Sequence, residues 1–145
     1  MAQKKAGAAG RRKLTRADYE MLAEFRHLIR QFLAFSEEAA RAAGVTAQQH
    51  RALLAIKAFD ADEPPTVGHL AARLVIQHHS AVGLVDRLVQ ARLVTRHRDT
   101  SDLRRTTLRL TARGDKTLHS VTGANRDELR RLTPLLKPLM QKIER

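Results

Sequence analysis

The chain contains no cysteine, which excludes disulfides, thiolate metal sites and cysteine redox switches. It has no tryptophan, a single tyrosine at Tyr19, and only 3% aromatic residues. Proteins that read single strands or RNA loops stack bases on aromatic rings, and too few are present for that. No apolar run approaches the roughly 18 residues of a membrane span. The basic N-terminus lacks the apolar core of a secretory signal, so a cytoplasmic location is expected. Acids are scarce beside bases: 15 Asp and Glu against 27 Lys and Arg give a net charge of +12. An excess of that size points to a polyanionic partner.

A length of 145 residues suits one domain with a real core, and 43% hydrophobic residues argue against wholesale disorder. The cations are unevenly placed. Residues 1–16 hold Lys4, Lys5, Arg11, Arg12, Lys13 and Arg16 and no acid, and residues 1–13 read as a disordered basic tail. A second cluster lies between residues 92 and 116, where eight Lys and Arg face Asp99, Asp102 and Asp115.

From Thr15 to about Ala43, Leu22, Phe25, Ile29, Phe32 and Ser36 recur at helical spacing, widened by Leu28, Leu33 and Phe35. Such a helix is about 40 Å long, and so broad a stripe calls for a partner beyond this short chain. Thr46 to Gln49 form a capping box opening a second helix to about Phe59, with Leu53, Leu54 and Ile56 inward. Asp60 to Pro65 are an acidic loop broken by proline, read as solvated rather than metal-binding. Thr66 caps a third helix from Val67 to about Leu74. After a turn at Val75 and Ile76 a fourth runs from Gln77 to about Ala91, with Ala81, Leu84, Val85 and Leu88 on one face. This spacing is that of a helix-turn-helix, whose second helix offers its N-terminal residues to the major groove.

Leu93–Arg98 and Thr106–Leu110 read as two strands around the charged tip 99–105, a hairpin wing. Thr111 caps a fifth helix to about Leu132, softly interrupted by Gly114 and Gly123. Thr133 and Pro134 predict the restart of a sixth, with Leu135, Leu136, Leu139, Met140 and Ile143 apolar. The fold class is mainly α with a small β-hairpin wing.

The wing string Asp99-Thr-Ser-Asp102-Leu-Arg104-Arg-Thr-Thr-Leu108-Arg-Leu110-Thr111-Ala-Arg-Gly114 resembles the MarR-family signature, D-P-x-D-[KR]-R-x-x-x-V-x-L-T-x-x-G. The order of elements agrees over nearly the whole chain. Thr100 replaces the usual proline and Leu103 the usual basic residue, which removes one phosphate contact from the tip. The resemblance implies a single domain over 14–145, with dimerisation helices at 14–43 and 112–145 and a winged helix-turn-helix DNA-binding lobe at 46–111. It implies a homodimeric repressor on a pseudo-palindromic duplex, Arg104 in the minor groove and the fourth helix in the major groove. It also implies release by a small, often aromatic or phenolic acid held between the dimer helices and the lobe. Without cysteine, the thiol peroxide sensing found in part of the family is excluded.

The residues themselves agree with this assignment. Arg104 at a narrow hairpin tip suits the negative potential of a narrow minor groove. Asp102 is expected to orient it, and Arg105 adds a second tip cation. Gln77, His78, His79 and Ser80 are expected to face the groove. Adjacent histidines diverge by about 100° on a helix and make a poor chelate, and Ser80 lacks the surroundings of a hydrolytic nucleophile, so neither a metal site nor an enzyme is expected. Gly83 is either a neutral surface residue or a point of close approach to DNA. Val82 meets a thymine methyl or packs under the wing. Arg87 is expected on a phosphate or on an acid such as Asp102. Arg26, His27 and His50 fall near the implied effector pocket, with a core histidine as the competing reading of His50. The alternative function is a non-specific architectural DNA-binding protein. No cofactor is expected.

Overall fold

Threonine hydroxyls open most of the helices. The structure, a computed structural model, describes residues 12–60 and 62–145. The predicted tail, apart from Arg12 and Lys13, lies outside the described residues. Helix α1, Arg16–Ala42, begins at Thr15, whose amide and hydroxyl both donate to the Asp18 carboxylate, at 2.7 and 3.1 Å. Those bonds, the amide first, hold Asp18 below the usual carboxylate range. Helix α2, Ala47–Ala58, has the predicted reciprocal box: Thr46 Oγ1 accepts the Gln49 amide at 3.1 Å and Gln49 Oε1 accepts the Thr46 amide at 3.0 Å.

Helix α3, Val67–Leu74, repeats the device with a histidine in place of glutamine. Thr66 Oγ1 accepts the His69 amide and His69 Nδ1 accepts the Thr66 amide. Val75 then turns the chain in the left-handed region at φ 55°, and helix α4 runs His78–Gln90. Arg92, at φ 60°, makes the turn into strand β1, Val94–Arg98. Strand β2, Thr106–Leu110, pairs with it antiparallel, with Arg96 opposite Leu108. The approach to α3 extends the pairing: the Leu108 amide donates to the Pro65 carbonyl at 2.7 Å, and Thr66 bridges to Thr107. This third short edge ties the wing's root to the first turn of the helix-turn-helix.

Two apolar clusters result. In the first, Leu53, Ile56, Leu70, Leu84, Val85, Leu88, Val94 and Leu108 pack the helix-turn-helix against the root of the wing. In the second, Leu28 of α1 meets Leu132 and Leu139, with Phe25, Phe32 and Leu136 around them. The predicted face of α4 is buried in full, whereas Leu54 of α2, expected inward, is exposed.

The predicted break at Thr133 is absent. Helix α5 runs without interruption over Ala112–Ile143, with Pro134 and Pro138 inside it. Thr133 does not act as a cap: its hydroxyl donates to the Leu129 carbonyl at 2.8 Å, one turn back within the same helix. Each internal proline deletes a hydrogen bond and crowds the preceding turn. Both rings are exposed, while Leu132 and Leu139 on the inner side are held by α1, so packing overrides the local preference. At its other end α5 is fixed to the wing. The Thr111 amide donates to the Leu93 carbonyl at 3.0 Å, and the Thr111 hydroxyl donates to the Arg92 carbonyl at 2.6 Å. Gly114 lies so close that a Cβ there would fall 2.1 Å from the Leu93 oxygen. Gly114 is thus a site of close approach and no interruption of the helix.

Candidate nucleic-acid interface

The first turn of α4 and the tip of the wing stand on the same side of the lobe, where His78 lines one groove with Asp102, Arg104 and Arg105. Because Ala81, Leu84, Val85 and Leu88 are buried, the helix presents Gln77, His78, His79, Val82 and Arg87 to solvent, with Ser80 and Gly83 half-buried among them. A Cβ on Gly83 would meet only Arg87 Nη1, at 3.6 Å. Arg87 therefore lies back along its own helix, and among the described residues no Arg87–Asp102 ion pair forms.

The wing tip is built by two aspartates bonding forward to the backbone. Asp99 Oδ1 accepts the Ser101 hydroxyl at 2.8 Å and the Ser101 amide at 2.9 Å. The hydroxyl first and then the amide keep the Asp99 carboxyl below its ordinary range. Asp102 Oδ1 accepts the Arg104 amide at 3.0 Å, and the Asp102 carbonyl accepts the Arg105 amide at 3.0 Å. Asp102 thus fixes the backbone that carries Arg104. The expected carboxylate–guanidinium contact is replaced by this turn, which leaves the Arg104 side chain exposed at the tip. Sequence spacing put the acid two positions before the base but could not tell amide from guanidinium as the partner.

Arg96 and Asp86 escaped the reading of the sequence. Arg96 on β1 forms an ion pair with Asp86 on α4, joining the wing to the helix beside it. The sequence signal was Asp86, the one acid on α4. Below the wing's root, Lys57 of α2 and Asp115 of α5 pair at 2.7 Å. Beside that pair lies a cleft of 640 Å³ with Leu54 and Leu118 as apolar walls and Lys116, His119 and Arg126 at its margin. Arg26 and His27 are exposed on α1 and do not line it. His50 is buried in α2, with Nε2 lacking a hydrogen-bond partner; burial first, and the neighbouring Arg51 cation second, push its pKa down. Among the described residues no cluster of His, Asp or Glu is arranged to hold a metal, and no helix is long and apolar enough to cross a membrane.

A five-helix frame with a helix-turn-helix, and a two-stranded wing rooted beside it, has known counterparts. The sequence profile of the MarR family matches residues 43–105, from the end of α1 to the wing tip. No curated protein sequence is close enough to count as a relative. Among solved structures the chain is similar to MepR, a transcription regulator of the Staphylococcus aureus multidrug efflux pump MepA. The TM-score is 0.74 at 20% identity, over 86% of this chain and 95% of that one. A variant of MepR bound to an oligodeoxyribonucleotide gives 0.68 at 21% identity, covering 90% and 96%. The multiple antibiotic-resistance repressor of Listeria monocytogenes gives 0.70 at 23%, covering 94% and 100%. These likenesses show a shared fold that takes in the flanking helices α1 and α5 as well as the winged helix.

Proposed function

We propose that the chain is a sequence-specific regulator of transcription that binds duplex DNA as a homodimer and is not an enzyme. The observation that carries this reading is the shared face of α4 and the Arg104 tip. A helix of this width fits the major groove, and an arginine on a narrow hairpin fits the adjoining minor groove. The net charge of +12 supplies the attraction to phosphate. The partner is a pseudo-palindromic operator, met in the cytoplasm, whose half-sites lie about 34 Å apart.

The second copy is argued from α1 and α5. Leu22 and Leu33 on α1 and Leu135, Met140 and Ile143 on α5 are exposed, Leu33 at 57% and Met140 at 55%. Large apolar side chains grouped on the two terminal helices fit a dimer interface. Residues 14–43 and 112–145 then serve dimerisation and 46–111 reads DNA. A small aromatic acid is the favoured effector. The cleft beside Lys57 and Asp115 suits it better than the surroundings of Arg26, His27 and His50, because it combines cations with apolar walls. Bound there, a ligand would press on the junction between α5 and the wing, so that DNA is released and a repressed gene turned on.

A titration of labelled duplexes at several salt concentrations tests this reading. Binding should weaken steeply with salt, and some genomic sequences should bind on the order of 10³-fold more tightly than random duplex. Equal affinity for all sequences would favour a non-specific architectural protein, and a flat salt response would contradict phosphate-driven binding.

A further inference from the structure

Between the first turn of α4 and the wing tip lies an open groove of 620 Å³. Its walls carry His78 from α4, His69 from α3, and Asp102, Arg104 and Arg105 from the wing. In duplex DNA a single sugar-phosphate strand separates a minor groove from the major groove beside it. If Arg104 enters one and α4 the other, that strand passes through the groove between them. We infer that the groove seats a backbone phosphodiester and that His78 takes up a proton there, so that DNA binding is coupled to pH. This inference rests on the DNA-binding reading above.

The two histidines in the groove differ chemically. His69 Nδ1 accepts the Thr66 amide, so its other ring nitrogen carries the proton, and protonating Nδ1 would break the cap of α3. His69 can donate to a phosphate without changing charge. His78 is exposed and has no hydrogen-bond partner among the described residues. Arg104, Arg105 and Asp102 of the wing and His69 of α3 line the groove with it. On its own helix, His79 is the nearest titratable neighbour. A phosphodiester brought between His78 and the two arginines adds an anion beside the ring, which favours imidazolium. Histidine is the side chain whose ordinary titration falls in this pH range. By linkage, a group that gains a proton on binding strengthens binding as the pH falls. A phosphate is present whatever the base sequence, so the effect should not depend on sequence.

The test is fluorescence anisotropy at about pH 6 and about pH 8, at constant ionic strength. It uses two duplexes of unrelated sequence, each about 30 base pairs, enough for two half-sites one turn apart. Wild type should bind both about three- to tenfold more tightly at the lower pH, the effect of one proton. The variant His78→Gln should lose that dependence and His79→Gln should keep it, with circular dichroism showing every variant folded at both pH values. Retention of the dependence in His78→Gln, its loss in His79→Gln, or a dependence on one duplex only would overturn the inference. Binding with no pH dependence in wild type would overturn it alone. Failure of wild type to bind either duplex would overturn the proposed function as well.

Discussion

Replacing Gly114 by alanine should cost stability at one defined joint. The added Cβ would stand 2.1 Å from the Leu93 carbonyl oxygen and 3.0 Å from its carbon. Carbon meets oxygen without repulsion at about 3.3 Å, so α5 and the root of the wing must part by about 1 Å. Both sides of the clash are backbone, and no rotamer change relieves it. Overpacking of this kind costs about 1–3 kcal/mol. The same separation stretches the bonds from Thr111 to the Arg92 and Leu93 carbonyls, each worth about 1 kcal/mol. Alanine's better helix propensity returns up to about 1 kcal/mol. The net loss is about 1–4 kcal/mol, which lowers the melting temperature by roughly 3–15 °C for a chain of this size. Gly123, in the same helix, has nothing within 4 Å of its own added Cβ. Gly123→Ala should therefore melt about 2–4 °C higher than wild type. Thermal denaturation of both variants decides the matter: a Gly114→Ala protein as stable as wild type would refute the close-approach argument.

Burial holds the pKa of His50 down in the folded chain, so the unfolded chain protonates first. Stability is then complete above about pH 6.5 and is lost as the pH falls below it. The lowered carboxylates Asp18, Asp99 and Glu128 act only below about pH 4. Melting temperature should fall between about pH 7.5 and 5.5 in wild type and fall less in His50→Leu; an equal fall would contradict the assignment. Gly83→Ala should raise thermal stability by about 1 kcal/mol, since its Cβ meets only a flexible arginine tip. It should also weaken duplex binding; unchanged affinity would show that DNA does not approach there. The double variant Leu33→Glu, Met140→Glu should sediment as a monomer where wild type sediments as a dimer, and a persistent dimer would place the interface elsewhere.

The parts of the fold legible in the sequence were those with a local cause. Thr46 and Gln49 announce their cap at three residues' distance, and the 3.6-residue spacing of Ala81, Leu84, Val85 and Leu88 fixes which face of α4 is buried. The break predicted at Thr133 and Pro134 failed because the decision there is tertiary: Leu132 and Leu139 are clamped by α1, and the helix continues through both prolines. The candidate site was legible as a set of residues but only partly in its wiring. Asp102 and Arg104 are near neighbours in sequence, yet the bond runs to the amide and not to the guanidinium. The pairs Asp86–Arg96 and Lys57–Asp115 join residues 10 and 58 apart, and no periodicity reports a contact between separate elements. Lys57 is also why the cleft escaped notice: it sits beside Leu54, which the pattern of α2 had assigned to the core.

The central claim is that the α4 face and the wing tip together grip duplex DNA, and Arg104 tests it with least disturbance. Its side chain is exposed and the tip is held by backbone bonds to Asp102, so truncation should change folding stability by no more than about 0.5 kcal/mol. Titrating wild type and Arg104→Ala against the same duplex at one salt concentration is the direct measurement. A folded Arg104→Ala protein should bind about 10- to 100-fold more weakly, the loss expected for a groove-inserted arginine worth about 1.5–3 kcal/mol. Undiminished affinity in that variant would contradict the account.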